Sequence, residues 1–227
     1  MKRIIVLILV LLLCTTSATA ASFDPHKATA YMDIKFECGC WGTGTGAMVG
    51  RHGLITCAHN LCCPTHGKWY KSITFVFGAK SANSGQKKVS SGFQAWVYDT
   101  FQNGYNSEDD IGYVVFNKPI GDSTGWFATH AASDTDVEFT FANVYFYDLE
   151  GHYNTVQQLL NVVSDKQLVL DKNPFAGEGA PITIREQGND YPVVVGVYTN
   201  PTGYGEGFAR RLTNNVFNDM EGDGAFR

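Results

Sequence analysis

The chain has 227 residues, of which 44% are hydrophobic and 17% are charged, and this composition excludes a disordered tail, a coiled coil and a charge-driven nucleic-acid arm. Its 17 basic and 22 acidic side chains give a net charge of −5, which argues against nucleic-acid partners. The 24 glycines and 13% aromatic residues favour many short strands joined by turns. The length allows one all-β domain or two small barrels.

The first 20 residues have the pattern of a secretory signal peptide. Lys2 and Arg3 supply the positive charge, residues 4–13 form an unbroken apolar run, and residues 18–20 (Ala-Thr-Ala) provide a cleavage site. Cleavage would remove two of the 17 basic side chains, leaving 15 against 22 acidic ones and a net charge of −7. We therefore expect a secreted protein with no membrane contact after cleavage. An uncleaved anchor is the alternative interpretation.

Short β-rich runs bounded by Gly, Asn, Asp or Ser recur from Tyr31 onward, with a break at residues 121–125. The predicted strands are residues 31–37, 45–49, 54–57, 72–77, 93–98 and 111–116 before the break, and 137–147, 155–163, 167–170, 180–184, 193–199 and 207–211 after it. This pattern predicts two closed antiparallel barrels, at about 30–120 and 130–212 within a domain of residues 21–227. Residues 212–220 are predicted to form a short terminal helix.

Beyond the signal peptide, all cysteines lie in one short stretch: Cys38, Cys40, Cys57, Cys62 and Cys63. In an exported protein this favours two disulfides between the Cys38/Cys40 strand and the Cys62/Cys63 loop, with one thiol left over. A zinc site that uses these thiols with His59 and His66 is the alternative. Because the spacing contains no regular C-x₂-C pair, we predict no metal and no cofactor.

The segment at residues 42–59 contains a glycine-rich strand, a hairpin and then Thr56-Cys57-Ala58-His59. It resembles the region of chymotrypsin-fold serine peptidases in which a G-[ST]-G strand leads to a T-x-A-H motif. Residues 108–116, beginning Glu-Asp-Asp-Ile-Gly, are similar to the family's block of an aspartate followed by an apolar strand. The resemblance implies that His59 is the general base and that Asp110 orients and stabilises its imidazole.

A third block, residues 191–200 and 205–213, resembles the V8-like glutamyl endopeptidase branch of this family, and the likeness covers about residues 35–220. It implies an all-β fold of two six-stranded antiparallel barrels with a peptide or protein ligand in the cleft between them. It also implies substrate contacts at Tyr198 and Thr199. Tyr198 stands where the branch has a histidine that binds glutamate, so glutamate preference is not implied. We expect a monomer.

The family motif G-[DNQ]-S-G-[GSA]-P corresponds here to residues 176–181, Ala-Gly-Glu-Gly-Ala-Pro. Either Glu178 replaces the serine nucleophile, or the serine has been deleted beside it. A carboxylate cannot simply replace the hydroxyl, because its charge would repel the oxyanion that the site stabilises. We therefore predict an inactive pseudopeptidase in which Glu178 pairs with His59. The alternative is an active serine-type endopeptidase with an unusual nucleophile.

Overall fold

A computed structural model describes residues 23–80, 87–172, 176–186, 191–199 and 207–227. The predicted signal peptide therefore lies outside the described residues. Within the described ranges, no helix has the length and apolar character needed to cross a membrane.

Seven strands form the first sheet, in the order β5-β4-β1-β2-β3-β7-β6. They are β1 (Thr29–Phe36), β2 (Trp41–Met48), β3 (Gly53–Thr56), β4 (Tyr70–Phe77), β5 (Lys87–Val89), β6 (Phe93–Val97) and β7 (Gly112–Phe116). Along β4, Ile73, Phe75 and Phe77 alternate onto the buried face, as the two-residue period of a strand requires. The sheet curls around this apolar core.

The second sheet also has seven strands, in the order β12-β9-β10-β11-β14-β13-β8. They are β8 (Ala128–Thr129), β9 (Phe141–Tyr147), β10 (Tyr153–Val162), β11 (Gln167–Leu170), β12 (Pro181–Ile184), β13 (Val193–Tyr198) and β14 (Gly207–Arg211). Pairing of β12 with β13 closes β9–β14 into an antiparallel barrel. Strand β8 adds to β13 in parallel from outside the ring.

In the described parts of the chain, five short helices accompany the strands: α1 (Pro25–Ala28), α2 (Asp99–Gly104), α3 (Gly121–Thr124), α4 (Asp134–Val137) and α5 (Asn214–Gly222). Two 3₁₀ turns, Ala58–Asn60 and Ser107–Asp109, follow β3 and precede β7. Helix α5 inserts Val216 and Met220 into the core of the first sheet, although it follows the last strand of the second. The terminal helix therefore ties the two halves of the chain together.

The prediction of an all-β, two-barrel fold with a terminal helix is confirmed, with differences in detail. The first sheet contains β5 in addition to the six predicted strands. In the described pairings this sheet does not close, and β5 and β6 form its two edges. The strand predicted at 137–147 begins four residues later, as β9 at Phe141, because Val137 is the last residue of α4, in which Ser133 and Asp136 form a reciprocal capping box. The terminal helix begins two residues later than predicted, at Asn214.

Candidate active site

His59 and Asp110 lie together because their strands are neighbours. His59 sits on the 3₁₀ turn that follows β3, and Asp110 precedes β7, which pairs antiparallel with β3. The Asp110 carboxylate accepts two hydrogen bonds from His59: one from its backbone N–H at 3.0 Å and one from Nδ1–H at 2.7 Å. This paired contact fixes the ring orientation and leaves Nε2 as the nitrogen available to a reacting group.

Asp110 also sets the charge of the imidazole. Burial by itself would lower the pKa of His59, but attraction and a hydrogen bond to the Asp110 carboxylate, together with smaller contributions from Cys57, raise that pKa well above its usual range. The Asp110 side chain is only 6% exposed, so this attraction is weakly screened by water. The protonated imidazolium is therefore the favoured form of His59 at neutral pH.

Cys57 contacts the other ring nitrogen, and the sequence motif alone did not assign it this role. Its Sγ lies 3.3 Å from Nε2 of His59, so the described residues contain an Asp110–His59–Cys57 series. The Cys57 side chain is completely buried, and burial raises the pKa of its thiol to about 11. The thiol is thus protonated at neutral pH, a state that disfavours nucleophilic attack.

Glu178 lies in a tight loop of the second barrel that packs onto the first. Its carbonyl accepts hydrogen bonds from the backbone N–H of Thr45 at 2.8 Å and from Nδ2 of Asn60, the residue after His59, at 3.0 Å. Gly177 and Gly179 on either side have φ of +86° and +91°, and a Cβ on Gly179 would lie 2.0 Å from the Thr45 carbonyl oxygen. The glycines therefore permit the turn that brings Glu178 beside the His59 turn.

The prediction that Glu178 forms an ion pair with His59 is wrong. Among the described residues, His59 forms its ion pair with Asp110, and none joins it to Glu178. The Glu178 carboxylate is half-buried and contributes to raising the pKa values of Cys57 and Tyr198, in each case after the larger effect of burial. The negative charge of Glu178 therefore affects Cys57 and Tyr198, which lie near the imidazole, and the ion pair of the ring is with Asp110.

Tyr198 and Thr199, the residues with predicted substrate contacts, are both buried. Tyr198 belongs to the core of the second barrel, and its backbone forms two hydrogen bonds with the Glu178 loop. The Tyr198 carbonyl accepts a hydrogen bond from Gly179 N–H at 2.8 Å, and the Tyr198 N–H donates one to the Ala180 carbonyl at 2.9 Å. The Thr199 backbone N–H donates to the Phe208 carbonyl. Substrate contact by these residues stays a prediction, and residues 200–206 lie outside the described part of the chain.

Asp109, next to Asp110 in the chain, faces the second barrel instead of His59. Its carboxylate accepts a hydrogen bond from Lys166 Nζ at 3.0 Å and lies 3.8 Å from Nη2 of the buried Arg210. Burial would raise the pKa of Asp109, but hydrogen bonds from Thr100 and Lys166 lower it on balance. Two adjacent acidic residues therefore have separate roles, one at the site and one between the barrels.

The two disulfides expected from the cysteine pattern do not occur in the structure, where all five described cysteines are free thiols. The structure instead divides the proposed zinc-ligand residues into two groups. Cys57 and His59 cluster with Asp110, whereas Cys38, Cys40, Cys63 and His66 form a separate cluster. Cys62 belongs to neither group and packs against Ala58 and Phe101.

No protein-family model matches the sequence, and no curated protein matches it significantly. Solved structures, however, superpose over almost the whole chain. A Glu endopeptidase in complex with MPD gives a TM-score of 0.74 at 13% identity, covering 91% of this chain and 94% of that chain. The protease Anisep from Arthrobacter nicotinovorans gives 0.74 at 13%, covering 90% and 98%.

A thermostable serine protease, AL20, from an extremophilic microorganism gives a TM-score of 0.73 at 10% identity, covering 89% of this chain and 99% of that chain. Identities this low carry the fold and not the activity. The chain therefore has the two-barrel fold of chymotrypsin-like serine proteases.

Proposed function

We propose that this protein is an exported peptide-binding protein on a serine-peptidase scaffold, and that it does not hydrolyse its ligand. The observation that carries the proposal is the loop at 176–181, which brings a glutamate backbone, not a hydroxyl-bearing residue, against the turn that holds His59. Among the described residues, the side-chain contacts of His59 are to Asp110 and Cys57, and no hydroxyl is within hydrogen-bond distance.

Loss of the nucleophile costs a serine peptidase a factor on the order of 10⁶ in turnover. The missing hydroxyl therefore predicts binding without cleavage.

The binding half of the proposal draws on the fold. The similar solved structures bear names of proteases, proteins that act on polypeptide chains. In this chain the His59 side chain keeps 23% of its surface exposed, so a ligand can reach the ring from solvent. We therefore propose an extended peptide segment as the ligand. The signal-peptide pattern of residues 1–20 supports an extracellular location for the protein.

Fluorescein-labelled casein tests both halves of the proposal, because fluorescence anisotropy reports binding and gel electrophoresis reports cleavage. We expect a saturable rise in anisotropy, intact casein after prolonged incubation and no labelling by a fluorophosphonate probe. Glu178→Ser should restore fluorophosphonate labelling if glutamate replaced the nucleophile, with Glu178→Gln as the control that removes the charge without adding a hydroxyl. Cleavage or probe labelling by the unaltered protein would contradict the proposal.

A second candidate function is an endopeptidase that uses Cys57 as its nucleophile. The 3.3 Å contact between Cys57 Sγ and His59 Nε2 favours it, because a cysteine next to a histidine can form a reactive ion pair. Complete burial and the raised pKa of the thiol argue against it. Rapid alkylation of Cys57 by iodoacetamide, together with casein cleavage that Cys57→Ala abolishes, would establish this function.

A further inference from the structure

A second cluster of metal-binding side chains lies on the first barrel, formed by two neighbouring loops. Cys38 and Cys40 belong to the turn between β1 and β2, whereas Cys63 and His66 belong to the loop that follows the His59 turn. Their four ligand atoms all lie within 4.8 Å of one another. This is a different group of side chains from the Asp110–His59–Cys57 series.

Two sulfur–nitrogen distances in this cluster match those around a tetrahedral zinc ion. Nδ1 of His66 lies 3.5 Å from Sγ of Cys40 and 3.6 Å from Sγ of Cys63. A tetrahedral ion with Zn–S of about 2.3 Å and Zn–N of about 2.0–2.1 Å separates sulfur from nitrogen by about 3.5–3.6 Å along each edge. We propose that Cys38, Cys40, Cys63 and His66 bind one zinc ion.

The backbone holds both loops in place by itself. In the first turn, Phe36 N–H donates to the Cys40 carbonyl at 2.9 Å, and Gly39 between the two cysteines has a φ of +90°. In the second, Cys63 N–H donates to the Lys68 carbonyl at 2.8 Å. A hydrogen bond from Glu37 N–H to the Trp69 carbonyl joins the loops at 3.0 Å. The four ligands are thus prearranged, which reduces the entropy cost of binding an ion.

The ligand chemistry favours zinc over other ions and over disulfides. Three thiolates and an imidazole suit zinc, whereas calcium and magnesium take oxygen ligands. A disulfide network would not need an imidazole among the sulfurs, and it would leave one of the five thiols unpaired. A site of three cysteines and a histidine has no position left for water, so its role is structural.

The position of the cluster indicates what the ion would stabilise. Cys63 is buried directly after the His59 turn, where Leu61 and Cys62 N–H groups both donate to the Ala58 carbonyl. His66 is exposed and Cys38 lies at the surface, which leaves an entry path for the ion. Zinc would therefore fasten the loop behind His59 to the β1–β2 turn. This inference does not depend on whether the protein cleaves peptides.

Elemental analysis of the purified protein, after dialysis against zinc and then metal-free buffer, tests the site. We expect about one zinc ion per chain. Cys63→Ser and His66→Ala should lose the ion, whereas the matched controls Cys62→Ser, its buried neighbour, and His152→Ala, an exposed histidine elsewhere, should keep it. Retention by Cys63→Ser, or equal loss in Cys62→Ser, would overturn the assignment.

Cobalt substitution gives a second measurement that needs no variant. Co²⁺ added to the unaltered protein should produce the visible absorption bands of tetrahedral thiolate coordination, and stoichiometric zinc should remove them. Chelation of the ion should lower the melting temperature of the unaltered protein and leave that of His66→Ala unchanged. Absence of the cobalt bands, together with loss of free thiols in a denaturing thiol titration, would show disulfides in place of the metal site.

Discussion

Sγ of Cys57 lies 3.3 Å from Nε2 of His59, the ring nitrogen that Asp110 does not hold. A buried thiol therefore takes the hydrogen-bond position that a nucleophile would need. The contact arises within three residues of sequence, because Cys57 follows β3 in an extended conformation and His59 lies on the 3₁₀ turn that begins at the next residue. If the protein binds without cleaving, as we propose, this contact is a second obstacle to proteolysis beside the glutamate of the 176–181 loop.

Removing the Cys57 thiol should make His59 more available to a restored nucleophile. In the Glu178→Ser background, we expect Cys57→Ala to increase the rate of fluorophosphonate labelling, because Nε2 of His59 then no longer contacts the thiol. The control is Cys62→Ala in the same background, since Cys62 is equally buried but contacts no part of the imidazole. Equal labelling rates in the two double variants would show that Cys57 does not obstruct His59.

Asp110→Asn should lower the pKa of His59. The carboxylate contributes most to raising this pKa, so an amide at the same place leaves the lowering effect of burial opposed only by Cys57. The measurement is an NMR titration of the His59 ring signals. Asp33→Asn, which removes an exposed carboxylate on β1, serves as the control and should leave the titration unchanged. An unaltered His59 titration in Asp110→Asn would refute the assigned cause.

The raised pKa of His59 also predicts how stability depends on pH. A group whose pKa is higher in the folded state stabilises that state fully below its unfolded pKa, about 6.5, and this contribution disappears as the pH rises through the folded pKa. The difference in free energy of unfolding between the unaltered protein and His59→Gln should therefore shrink from pH 6 towards alkaline pH. Urea denaturation at several pH values measures it, and a difference that grows with pH would contradict the sign.

Gly179→Ala should destabilise the protein by about 2–4 kcal/mol. The residue has a φ of +91°, and the added Cβ would lie 2.0 Å from the Thr45 carbonyl oxygen, which belongs to the other barrel. Gly222→Ala is the matched control, because its Cβ would meet nothing within 4 Å and should change stability by less than about 1 kcal/mol. Equal effects in denaturant titrations would mean that the 176–181 loop is not held against the first barrel.

Asp109→Ala should destabilise the protein by about 3 kcal/mol or more, because it leaves the buried Arg210 guanidinium without its nearest carboxylate. Glu108→Ala removes the exposed acidic side chain immediately before it and should have little effect. Denaturant titration measures both variants. A loss of less than about 1 kcal/mol in Asp109→Ala would show that this ion pair does not join the barrels.

Much of the fold could be predicted from the sequence because its determinants are local. Strands can be recognised by the alternation of apolar residues and by the glycines that bound them. Most predicted strands begin and end within two residues of the observed ones. The neighbouring motifs at His59 and Asp110 belong to paired strands, and the structure brings those side chains together. The short strands β5 and β8 carry too few residues to give a periodic signal.

Side-chain direction and loop contacts between distant residues depended on the tertiary structure. The acidic run at 108–110 contains no local signal that the Asp110 side chain contacts His59 while the Asp109 side chain contacts Lys166 and Arg210. The 3₁₀ turn before β7 points these two carboxylates in different directions. Five cysteines in one stretch likewise suggested disulfides. Only the juxtaposition of two loops selects Cys38, Cys40, Cys63 and His66 as one cluster, because distances across loops follow from packing and not from spacing along the chain.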